Sequence, residues 1–125
     1  MLRIDIHAIY TNVTLRCTGR IVLGVEAETL RCMATSRAED CLALDLRGIR
    51  GIDAAGLGLL VELHCWAQHR GKKMYLVNPS ACVCRLIAIT NLQSVLHVVR
   101  GDRFGNIEEH DCSALAAHVG QVMTA

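Results

Sequence analysis

Three features of the chain predict an α/β fold built on a mixed sheet. Two period-two apolar stretches stand back to back between Leu2 and Thr18, short apolar runs then alternate with longer amphipathic segments, and Gly, Asn or Pro punctuates most junctions. Two strands of hairpin type followed by strand–helix alternation require parallel crossovers. The predicted order is strand, strand, helix, strand, helix, strand, helix, strand, helix. That amounts to about five strands and about four helices in one domain over residues 1–125, with the core over 2–99 and a last helix near 111–124.

The elements follow in order. From Leu2 to Tyr10, apolar residues alternate with Arg3, Asp5 and His7, as on a half-buried strand. Thr11 and Asn12 break the pattern, and Val13, Leu15 and Cys17 resume it up to Gly19. Arg20 to Gly24 fits neither period, whereas Val25 to Thr35 reads as a helix with Val25, Leu30 and Met33 toward one side. Ser36 to Asp40 is a polar connection. Leu42 to Leu46 is too short for a helix and is bounded by Gly48 and Gly51, so a buried strand ending in a turn is expected. Asp53 stands where a carboxylate would accept from the first free N–H groups of a helix starting at Ala54 and running to Arg70, with Gly71 as its left-handed stop.

Met74 to Val77 is a short strand closed by Asn78-Pro79. Ser80 is placed to cap a helix carrying Val83, Leu86, Ile87 and Thr90, and Asn91 is a non-glycine residue that tolerates the left-handed turn. Val95 to Val99 reads as the last strand and Arg100 to Asn106 as a loop. Asp111 or Ser113 then opens a helix striped by Leu115, Val119, Val122 and Met123.

Composition narrows the function. A net charge of +1 and 3% aromatic residues give nucleic acid neither electrostatic capture nor stacking platforms. Mean hydropathy is high at +0.32, yet no apolar run approaches the roughly 20 residues that span a bilayer, and Arg3, Asp5 and His7 interrupt any signal-type apolar region. Seven cysteines, odd in number and without a C-x-x-C, sit mostly in apolar segments and read as reduced cytosolic thiols acting as small hydrophobes. No cofactor is expected. Cys82 and Cys84, with a histidine such as His64, form the nearest approach to a metal or thiol site, although residues two apart on a helix do not share a face.

At Asp53-Ala54-Ala55-Gly56-Leu57-Gly58 the chain resembles the STAS domains, named for sulfate transporters and anti-sigma factor antagonists, and above all the small free-standing antagonists. The family pattern is an apolar strand, a turn, and Asp-Ser-Ser/Thr-Gly-Leu-Gly opening a helix. Thr18-Gly19 leading to Ala27-Glu28-Thr29-Leu30, and Asn78-Pro79-Ser80 followed by Val83, Leu86 and Thr90-Asn91-Leu92, extend the resemblance from about Asp5 to Val99. It implies a non-catalytic interaction module that binds an anti-sigma factor or similar serine-kinase-like regulator through Ile52, Asp53, Ala54, Ala55, Gly56, Leu57, Gly58 and Leu59. Apart from the resemblance, the high apolar fraction is compatible with a homodimer, and the reduced thiols suit a cytoplasmic setting. The regulated members are phosphorylated on the serine corresponding to Ala55, where added charge and bulk eject the partner. Ala54 and Ala55 carry no hydroxyl, and no Ser or Thr lies between Ser36 and Ser80, so that switch is expected to be missing.

Alternatives stay open beside this reading. The same fold would suit a subunit docked on an ABC-transporter ATPase. Gly56 and Gly58 admit close backbone packing, partner approach or, without a Lys-Ser/Thr tail, a weak phosphate cradle. On the long helix, Leu57, Leu60, Val61 and His64 form one stripe and Leu59, Leu63 and Trp66 another; one faces the sheet, and the other is covered by a helix such as the last one or exposed for docking. The scattered histidines suggest no relay. Arg47 and Arg50 near the turn read first as solvated charges and, if function lives there, would favour an acidic partner.

Overall fold

A computed structural model describes residues 1–100 of the chain. Among them are five strands, β1 (Leu2–Ile9), β2 (Asn12–Ile21), β3 (Cys41–Ile52), β4 (Lys73–Val77) and β5 (Val98–Val99). Three α-helices, α1 (Val25–Thr35), α2 (Ala54–His69) and α3 (Ala81–Thr90), connect the parallel strands, and a short 3-10 turn covers Leu92–Ser94. The sheet runs β1-β2-β3-β4-β5, with β1 antiparallel to β2 and every later pair parallel. The mixed α/β architecture is the one expected. The predicted loop at 100–106, apart from Arg100, and the helix near 111–124 lie outside the described residues.

Each difference from expectation has a local cause. Tyr10 is not the end of β1 but the first residue of a two-residue hairpin turn, at φ 54 and 91% exposed, with Ile9 opposite Asn12. β2 continues through Gly19 and Arg20 to Ile21 because β3 continues beside it. Gly48 and Gly51, read as turn signals, lie inside β3: the register shifts between Arg16 and Thr18 and again between Gly19 and Arg20, and glycine inside a strand commonly marks such bulges. A Cβ on Gly48 would crowd the Thr18 Oγ1 at 3.1 Å and the Cys17 carbonyl at 3.2 Å. β5 keeps only Val98 and Val99, since Leu96 N–H still bonds the Leu92 carbonyl in the preceding turn.

The bulges also set the core. Leu42, Leu44 and Leu46 share a face of β3, and the extra residue brings Ile49 onto that same face rather than residue 48 or 50. Val13, Leu15 and Cys17 of β2 and Met74 and Leu76 of β4 join them, and the inner sides of all three helices complete one cluster. Fully burying each such leucine contributes about 1.5–3 kcal/mol. α2 sends both of its stripes inward: Leu57, Leu60 and His64 are buried, and so are Leu59 and Leu63. α1 packs alongside it, tied by Arg31 Nε to Glu62 Oε2 at 2.6 Å, and of the two stripes only Val61 and Trp66 stay part-exposed among the described residues.

Helix ends follow the sequence closely. Gly71 takes φ 69, with its N–H on the Gln68 carbonyl and Lys72 N–H on the Ala67 carbonyl, the double bond of a Schellman stop. Asn91 ends α3 at φ 58. Ser80 holds the N-cap position, but its hydroxyl lies 3.3 Å from Cys82 Sγ instead of capping a backbone N–H.

Candidate partner interface

Asp53 is the hinge of the site. Its Oδ1 accepts the Gly56 N–H at 2.8 Å, capping α2 as expected, while Oδ2 accepts the Leu23 N–H at 3.0 Å from the loop between β2 and α1. Its own N–H reaches the Ile21 carbonyl at 3.4 Å. One carboxylate therefore holds two loops that are 30 residues apart. The two backbone N–H donors, Leu23 first and Gly56 next, keep its carboxyl below the ordinary value of 3.8, so it stays ionised and suits the positive end of the helix.

Gly56 explains how close the loops come. A Cβ there would lie 2.1 Å from the Ile21 carbonyl oxygen and 3.0 Å from the Ile52 side chain, so the first turn of α2 fits against the end of β2 only without a side chain. Gly58, one step round the helix, meets nothing within 4 Å and faces outward. The expected site residues thus divide by position. Ala54 and Gly58 are exposed, Ile52, Asp53 and Ala55 are partly exposed, and Gly56, Leu57 and Leu59 are buried, so the last three hold the entry in place and do not present themselves to a partner.

The loop that Asp53 captures was not anticipated. Leu23 and Val25 are 76% and 78% exposed, flanking Gly24, which begins α1 at φ 114. With Ala55, Cys32 and Met33 they border an open groove between α1 and the entry of α2. The signal in the sequence was the apolar run Ile21-Val22-Leu23 continuing past the strand into a glycine. Arg20, Arg47 and Arg50 are exposed on the last parts of β2 and β3, with Arg20 opposite Gly51; Arg47 and Arg50 therefore belong to a strand and not to a turn.

Elsewhere the chemistry is structural. Cys17 lies in the core with its thiol on the Leu15 carbonyl, and burial, then the Asp45 carboxylate, push its pKa up to about 12. Cys82 and Cys84 point at the Ile49 and Pro79 carbonyls at 3.5 and 3.3 Å, and among the described residues no three His, Cys, Asp or Glu side chains converge on a metal position. His64, buried on α2, meets His97 edge-on at 5.1 Å, and His97 lies 5.9 Å from Tyr75. Desolvation, then the neighbouring His97, holds the His64 pKa below 6.5, so this histidine is a neutral core residue. No described helix is long and apolar enough to cross a membrane.

The STAS domain model matches residues 3–108. The chain belongs to the STAS domain family. Solved structures agree in fold. A putative anti-sigma factor antagonist from Thermotoga maritima superposes with a TM-score of 0.73 at 19% identity, covering 85% of this chain and 92% of that one. The phosphorylated form of the Bacillus cell fate determinant SpoIIAA gives 0.67 at 14% identity, covering 86% and 97%. A sulfate transporter family protein from Wolinella succinogenes gives 0.65 at 20% identity, covering 94% and 91%. Among curated proteins no relative matches. At such identities the likeness carries the fold alone.

Proposed function

We propose that this STAS domain is a cytoplasmic, non-catalytic anti-sigma factor antagonist that docks a kinase-like anti-sigma regulator without a phosphorylation switch. The observation that carries the reading is the Asp53 bridge, which ties the loop carrying exposed Leu23 and Val25 to the α2 entry, where partly exposed Ala55 borders the same apolar-rimmed groove and Ala54 is exposed. Fixing the loop beforehand lowers the ordering cost of docking. Arg20, Arg47 and Arg50 bias that surface toward an acidic partner and make association sensitive to salt. Ala55 stands where the family's regulated members carry serine, so binding is governed by partner concentration or by another signal.

The test is capture from the organism's own extract with the tagged domain and with an Ala54→Arg variant. A kinase-like anti-sigma protein recovered by the wild type and lost with the variant supports the reading; recovery of no such partner sinks it. The same fold suits one other role, a subunit docked on a transporter ATPase. Co-purification with a nucleotide-hydrolysing transport subunit would assign that role instead.

A further inference from the structure

Among the described residues the sheet ends in two unlike edges: β5 offers two residues, whereas β1 offers eight. Its hydrogen-bonding sense can be worked out. Arg20 N–H bonds the Met1 carbonyl at 3.0 Å, and the antiparallel register pairs Leu2 with Gly19 and Arg3 with Thr18. Because antiparallel pairs alternate, the odd residues Arg3, Asp5 and His7 spend their backbone groups on β2, and Leu2, Ile4, Ile6 and Ala8 aim theirs outward. An added antiparallel strand must therefore match even residues with even.

We propose that this edge joins a second copy of the chain, β1 against β1, about a two-fold axis through Ile4. In that register Ile4 faces Ile4, Leu2 faces Ile6 of the second copy, and Arg3 faces Asp5 of the second copy, twice by symmetry. The charges choose it. An axis at Arg3 would oppose two arginines, one at Asp5 would oppose two aspartates, and one at Ile6 would set Asp5 opposite His7 but leave the always-charged Arg3 opposite Ile9, without a carboxylate. Within one chain Arg3 Nε and Asp5 Oδ1 already lie 3.5 Å apart on the solvent side, both exposed, so the groups needed across the axis stand ready. On the helix side, Ile6 is 45% exposed alone and gains cover from Leu2 of the second copy, itself packed on the core. The axis stands perpendicular to the sheet, so both helix layers share one face and the two α2 entries point to opposite ends.

The experiment is sedimentation equilibrium of the full chain from about 1 µM to about 1 mM, with amide hydrogen exchange at both extremes. A monomer–dimer equilibrium is expected, with concentration-dependent protection gained at the Leu2, Ile4 and Ile6 amides and not at Arg3 or Asp5. Arg3→Asp and Asp5→Arg, each checked for unchanged circular dichroism, should each weaken dimerisation about tenfold, and the double exchange should restore it. A monomer throughout the range, protection on other residues, or a double variant as weak as the singles would overturn the proposal. The exchange pattern on the unaltered chain decides it even where a variant fails to fold.

Discussion

At the level of single residues, the two glycines of the α2 entry separate what the fold requires from what a partner would touch. Gly56→Ala places a methyl group against the Ile21 carbonyl and should cost about 1–3 kcal/mol, whereas Gly58→Ala meets open space and should stabilise by about 0.5–1 kcal/mol. Denaturant titration of the two variants gives both signs. Asp53→Ala removes a cap worth about 1 kcal/mol and releases the Leu23 loop, seen as faster exchange of the Leu23 and Gly56 amides. The pH dependence follows from the lowered carboxyl pKa. The Asp53 contribution is complete above the unfolded value of 3.8 and is lost as pH falls through the lower folded value, so wild type and variant should converge only in strong acid.

At the level of elements, local chemistry was legible and long-range chemistry was not. The caps at Asp53, Gly71 and Asn91 could be read from neighbouring residues, because a helix end is a matter of a few adjacent N–H and C=O groups. Gly48 and Gly51 misled because a glycine that ends a strand and one that bulges it look alike in sequence; the difference lies in what β2 does opposite them. Likewise nothing in the spacing joins Leu23 to Asp53 or His64 to His97, since those pairs are made where α2 packs on the sheet beside the β2–α1 loop at one end and the segment before β5 along its length. His64 yields a measurable consequence. Its pKa is held below 6.5, so unfolding takes up a proton and its contribution, whole above pH 6.5, declines as pH falls below that value. His64→Gln should flatten the acid side of the stability profile there, as followed by thermal melts at several pH values.

At the level of the whole molecule, the sheet order and the three crossovers bring the ends of β2 and β3 together, and the α2 entry and the β2–α1 loop meet there under one carboxylate. The site expected from the family resemblance covers eight consecutive residues, Ile52 to Leu59, which a helix cannot present on one side. Folding keeps Ala54, Ala55 and Gly58 at or near the surface and replaces the buried leucines with Leu23 and Val25 from another element.

The most direct measurement is a calorimetric titration of the domain against a purified kinase-like anti-sigma factor from the same organism, before and after incubation with ATP, with intact mass recorded for the domain. Equal affinity and unchanged mass in both arms are expected, while Ala55→Ser should gain one phosphate and lose binding. Absence of binding by the unaltered domain, or a phosphate gained by it together with loss of binding, would contradict a docking surface that is always competent.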